Sequence, residues 1–151
     1  MTAKHKGFRI STAITLLLLF ALTGCTEPEG PPWSECEMKE RLSYITEVGE
    51  AYALLDICMP MLEADPDAKY QLVSAIEPDR YAKLLQFDTD YEQKRLFEYF
   101  RERGGTAEQH LALRLRYEDA RREAEGQITS VQVCVDTITD YANTLINMRV
   151  Q

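Results

Sequence analysis

The chain has 151 residues, 45% of them hydrophobic, and carries 25 acidic against 17 basic residues for a formal charge of −8. That length supports one buried core and is short for two. The excess of acid leaves no basic footprint for nucleic acid, and with two histidines, no Gly-x-Ser-x-Gly turn and no glycine-rich phosphate loop we expect no enzyme active site, no cofactor and no metal centre.

The N-terminus brings Lys4, Lys6 and Arg9 without an acid, then an apolar run from Ile14 to Leu22. These read as the n-region and h-region of a signal peptide. A retained membrane span would need about 20 predominantly apolar residues, but this run breaks at Gly24 and soon meets Glu27. It ends in Leu22-Thr23-Gly24-Cys25. This quartet resembles the lipobox of bacterial lipoprotein precursors and matches it at every position: an aliphatic residue, a small or hydroxylated one, glycine, then cysteine. The likeness covers residues 1–25 alone.

The resemblance implies cleavage between Gly24 and Cys25 by a dedicated aspartyl signal peptidase, a diacylglycerol thioether on the Cys25 sulfur, and acylation of the new amine. Two or three acyl chains anchor stably where one is marginal, at about 0.8 kcal/mol per buried methylene. It also implies a periplasmic domain held at a membrane. Thr26, standing where aspartate tends to retain such proteins at the inner membrane, favours the outer one. Loss of the leader removes three of the 17 basic residues and no acid, giving a mature charge of −11.

Residues Thr26 to Pro32 hold three prolines, a glycine and two glutamates, which suits an extended tether of about 20 Å. We assign residues 25–33 to the lipidated cysteine and tether, and 34–151 to one helical domain. Ser34 with Glu37 forms a capping box that opens a first long helix. Met38, Ile45, Tyr52 and Met59 recur there every seven residues, with Leu42, Val48, Leu55 and Leu62 as a second line. Pro60 should stop or kink this helix near Cys58.

Asp65-Pro66 and Glu77-Pro78 each read as an N-cap followed by a first-turn proline. They open short helices with faces Ala68, Leu72, Val73, Ile76 and Tyr81, Leu84, Leu85. A further helix is expected from about Thr89 to Arg103, stopped by Gly104-Gly105. Thr106 with Gln109 is a second capping box. From there Tyr117, Ala124, Val131, Ile138 and Leu145 repeat at sevens, which sustained to the end makes a helix of about 64 Å over some 43 residues. Gly126 is its weak point, costing up to about 1 kcal/mol relative to alanine, so a bend or split belongs there. The expected fold is all-α: a helical bundle or elongated helical hairpin with coiled-coil character, two long amphipathic helices and shorter ones between.

Cys25 apart, Cys36, Cys58 and Cys134 would sit in an oxidising compartment. Cys36 and Cys58, on one helix, are roughly 33 Å apart and beyond disulfide reach. Cys134 then partners one of them, and we prefer Cys58, which lies near the end of the first apolar seam while Cys36 is in its first turn. The sulfurs of Cys58-Met59-Pro60-Met61 read as a disulfide cysteine among core methionines in preference to a cuprous site. Asp88-Thr89-Asp90-Tyr91-Glu92 lacks the sixth-position glycine and twelfth-position glutamate of a calcium loop and reads as a helix start.

Tyr81, Phe87, Tyr91, Phe97, Tyr99 and Phe100 place six aromatics within twenty residues. They either plug the bundle or form an interface, for which Tyr91, Phe97, Tyr99 and Phe100 are the candidates. The functional expectation is a lipid-anchored helical interaction protein of the envelope, with an unidentified envelope protein as partner and homo-oligomerisation through the long helices as an option. The rivals are an acidic module blocking a basic envelope enzyme, and a structural spacer.

Overall fold

The structure is a computed structural model that describes residues 30–147. Gly24, Cys25 and most of the tether lie outside the described residues, as do residues 148–151. The described residues form six helices and no strand: α1 (Glu35–Ala64), α2 (Pro66–Ile76), α3 (Pro78–Leu85), α4 (Thr89–Glu102), α5 (Ala107–Glu125) and α6 (Val131–Asn147). The all-α expectation holds, and its form is a bundle.

Each start has a local cause. The Ser34–Glu37 and Thr106–Gln109 capping boxes are both closed, with side chain and backbone exchanging bonds at each. Asp65 accepts from the Asp67 and Ala68 amides, and Asp88 accepts from the Tyr91 amide. Each such cap stabilises by about 1 kcal/mol. Glu77 departs from the expected pattern. It precedes Pro78 at φ 74, and its side chain makes no capping bond. Its amide instead closes α2 by donating to the Val73 carbonyl at 3.1 Å.

Pro60 neither stops nor sharply ends α1, which runs on to Ala64. The ring removes one amide bond, yet the last turn is held by tertiary packing: Leu62 is fully buried, and the Met61 sulfur lies 4.0 Å from Cys134 Sγ. Asp65-Pro66 supplies the stop.

The 43-residue C-terminal stretch, expected to bend or split at Gly126, does split: it is two helices, α5 and α6, broken at residues 126–130. Gly126 sits in ordinary right-handed helical geometry (φ −65, ψ −17), so the break does not need its conformational freedom. Ser130 restarts the helix: its hydroxyl accepts from the Val133 amide at 3.3 Å and its carbonyl from Cys134 at 3.3 Å.

The core runs along α1. Its Ile45, Val48, Tyr52, Leu55, Cys58 and Leu62 meet Leu113, Tyr117, Ala120 and Ala124 of α5, and Cys134, Val135, Ile138, Ala142 and Leu145 of α6. The apolar seam therefore closes within one chain. Cys58 and Cys134 are joined, with S–S 2.11 Å and Cα–Cα 5.2 Å, and Cys36 is exposed.

Helices α1 and α5 run side by side in the same direction. Trp33 bonds Gln109, Thr46 bonds Arg116, and Asp56 pairs with Arg121 farther along both. Gly49 allows the approach, since a Cβ there would meet the Tyr117 carbonyl oxygen at 2.9 Å and the Ala120 Cβ at 3.1 Å. The parallel pairing follows from what lies between. Helices α2, α3 and α4 have 11, 8 and 14 residues, about 50 Å of helix at 1.5 Å each, against about 45 Å for α1. They are long enough to bring the chain back to where α1 began.

Candidate interaction site

The chain returns to its starting point at an aromatic corner. Gly30 and Pro31 lie against Gly104 and Gly105, and the Gly105 amide donates to the Pro31 carbonyl at 2.8 Å. Both glycines of α4's exit have φ 93, a left-handed conformation that disfavours side chains. A Cβ on Gly105 would also strike the Trp33 ring at 2.8 Å.

Trp33 is the bolt of this latch. It is 6% exposed, its indole Nε1 donates to the Arg103 carbonyl at 3.0 Å, and its amide donates to Gln109 Oε1 at 2.9 Å. Gln109 Nε2 returns a bond to the Trp33 carbonyl at 2.8 Å, so the side chain that caps α5 also grips the start of the domain. The Phe100 and His110 rings pack edge-on at 6.1 and 4.8 Å, and the Arg41 guanidinium covers the indole at 4.4 Å. Gly30 to Trp33, which the sequence placed in the tether, therefore lie against the packed body.

The four aromatics that were candidates for an interface divide. Phe100 is buried in the core beneath Trp33. Phe97 is half-buried, edge-on to Tyr117 at 5.6 Å and covered by Arg114 at 5.3 Å. Tyr99 is half-buried too, with the Arg103 guanidinium 3.4 Å above its ring. Tyr91 alone is largely exposed, at 57%, with Arg95 near its ring. Phe100 is corrected from surface to core because α4 turns the 96/100 face toward α1. Tyr81 is likewise core, and Phe87 packs edge-on to Tyr52.

Between α4 and α5 lies a cleft of about 560 Å³ with Phe97 in its wall. Asp90, Lys94, Glu98 and Arg101 of α4 and Arg114 of α5 line it. Leu111 and Leu115, one turn apart on α5, are more than half exposed. Behind the cleft is a polar network. Arg121 pairs with Asp56 at 2.7 Å, Thr89 donates to the same carboxylate, and the Tyr117 hydroxyl donates to Gln93 Oε1 at 3.3 Å. Burial pushes the Tyr117 phenol above its ordinary range. Glu92, 7% exposed, has Arg95 at 3.5 Å, but its Oε2 makes no hydrogen bond.

Sequence reasoning passed over Trp33 and the Leu111–Leu115 pair. The signal for Trp33 was available. The chain's only tryptophan stands one place before the Ser34 cap, with Met38 four places into the helix, the positions of a hydrophobic staple. The exposed leucines had no such signal, because outward-facing apolar residues do not break the seven-residue seam.

Among the described residues no helix is long and apolar enough to cross a membrane, and no three metal-ligating side chains cluster. The fold and site define a small all-α bundle in which Gly30 to Trp33 are latched to the α4–α5 corner. No protein-family model, curated protein or solved structure matches the chain.

Proposed function

We propose that the protein is a lipid-anchored, non-enzymatic interaction module of a bacterial envelope, held at Cys25 and presenting the α4–α5 face to a protein partner. The observation that carries this reading is the Leu22-Thr23-Gly24-Cys25 quartet behind a basic and apolar leader. The Cys58–Cys134 pair supports it, since such bonds persist in oxidising compartments. Tyr91 of α4 and Leu111 and Leu115 of α5 are exposed, which supports these two helices as the presenting surface, because aromatic and aliphatic side chains are what interface cores use.

Intact-mass spectrometry of the protein from its native host tests the anchor. The expected species begins at Cys25 and carries acyl mass on it; a chain intact from Met1, or one beginning at Cys25 without lipid, rejects the reading. The face is tested by crosslinking the anchored protein in its own membrane. Tyr91→Ala, at an exposed position, is expected to lose a crosslinked product by about tenfold or more while its circular dichroism and melting stay unchanged. An undiminished product places the interface elsewhere.

A further inference from the structure

A second concavity lies away from the latch, between α1 and α6 beside the 126–130 elbow. Its volume is about 340 Å³, within the range of about 300–1,000 Å³ usual for small-molecule sites and too small to seat a helix about 10 Å across. Ala51 and Leu54 of α1, Ala124 of α5, Ile128 of the elbow and Val133 and Leu145 of α6 give it apolar walls.

The charged groups on its rim are of one sign. Glu47 and Glu50, three residues apart on α1, are both exposed, and no lysine or arginine lines the groove. Neither carboxylate has an ion-pair or hydrogen-bond partner among the described residues, whereas Asp56 pairs with Arg121 and Glu63 with Lys69. Across the groove, α6 presents the half-exposed Tyr141 ring and the hydroxyls of Thr137 and Thr144. Low-dielectric walls focus the field of the two carboxylates, and an aromatic face attracts a cation within about 6 Å of its centre.

We propose that this groove binds an amphipathic organic cation, its apolar body against Leu54, Ile128 and Val133 and its charge between Glu47, Glu50 and the Tyr141 ring. The occupant follows from complementarity. A neutral apolar ligand would leave both carboxylates facing desolvated surface without gain, and an anion would be repelled by them.

The full chain, held in a non-ionic detergent, is titrated with tetraphenylphosphonium and separately with tetraphenylborate, which has nearly the same shape and the opposite charge. Methyl NMR reports the groove directly and is blind to partition of either ion into micelles. The cation is expected to shift the Ala51, Leu54, Ile128 and Val133 methyls, and the anion to bind at least tenfold more weakly. The double variant Glu47→Gln/Glu50→Gln, which keeps side-chain shape at two exposed positions, is expected to weaken the cation about tenfold, equivalent to about 1.4 kcal/mol, and to leave the anion no weaker. Equal shifts from both ions, silence of these methyls, or a double variant that binds the cation as well as the parent each overturn the proposal.

Discussion

The Tyr52 ring is completely buried, packs edge-on to Phe87 at 5.3 Å and Tyr117 at 6.4 Å, and yet its hydroxyl has no hydrogen-bond partner. An unsatisfied buried hydroxyl costs about 1–3 kcal/mol, so the ring is retained for its packing at the expense of its polar atom. Tyr52→Phe keeps the ring contacts and removes the orphan, and is expected to raise stability by about 1 kcal/mol in urea denaturation at neutral pH. The same residue sets an alkaline limit. Burial, then the charge of Glu92, pushes the Tyr52 phenol far above its ordinary 10.0, and burial raises Tyr81 and Tyr117 as well. A phenol raised in the folded state contributes stability that is complete below about pH 10 and is lost as pH climbs through the folded value. Melting temperature should therefore fall above pH 10, and less steeply in the phenylalanine variant. An unchanged alkaline slope would mean that Tyr52 does not titrate with unfolding.

At the scale of helices, starts were legible in the sequence and stops less so. Capping boxes and Asp-Pro pairs are local chemistry, and Ser34, Asp65, Asp88 and Thr106 each cap the helix expected of them. The Ser34 box also fixes an acid limit: hydrogen bonds from the Ser34 amide and hydroxyl hold Glu37 below the ordinary 4.5. Its contribution is present above that value and lost as pH falls through the lowered one. Stops depend on distant contacts. Pro60 was a strong local signal, overridden by the burial of Leu62. The α5–α6 break was read through Gly126, whereas the restart at Ser130 defines it. Two opposed substitutions separate the causes. Gly126→Ala meets only ordinary contacts, at 3.6 Å and beyond, and is expected to stabilise by about 0.5–1 kcal/mol. Ser130→Ala removes the α6 cap and should cost about 1 kcal/mol. If alanine at 126 destabilises, the elbow does need glycine.

For the molecule as a whole, the heptad pattern named the core residues but not how the helices are arranged. Tyr117, Ala124, Ile138 and Leu145 all reach the core as the seven-residue spacing required, because α5 and α6 both face α1. The pattern is the same for one long helix and for two that share a partner, so it could not reveal the fold-back. Nor could it show that α1 and α5 run parallel, which depends on the summed length of the helices between. The Cys58–Cys134 link closes a separation of 76 residues, and in the chain-entropy model a loop of that size stabilises by about 4–5 kcal/mol. Reduction, or Cys58→Ala/Cys134→Ala, is expected to lower the denaturation free energy by about that amount with little change in helical content under native conditions. A loss below about 1 kcal/mol would show that packing alone sets the α1–α6 register.

The docking of Gly30 to Trp33 on the exit of α4 has a mechanical corollary. Any tension arriving from the N-terminal side meets the Gly105–Pro31 bond, the paired Trp33–Gln109 bonds and the seated indole before it reaches the first turn of α1. The load is shared between the first residues of the body and the junction of its fourth and fifth helices. A pull applied at Gly30 therefore loads the whole body at once instead of unwinding one helix from its end.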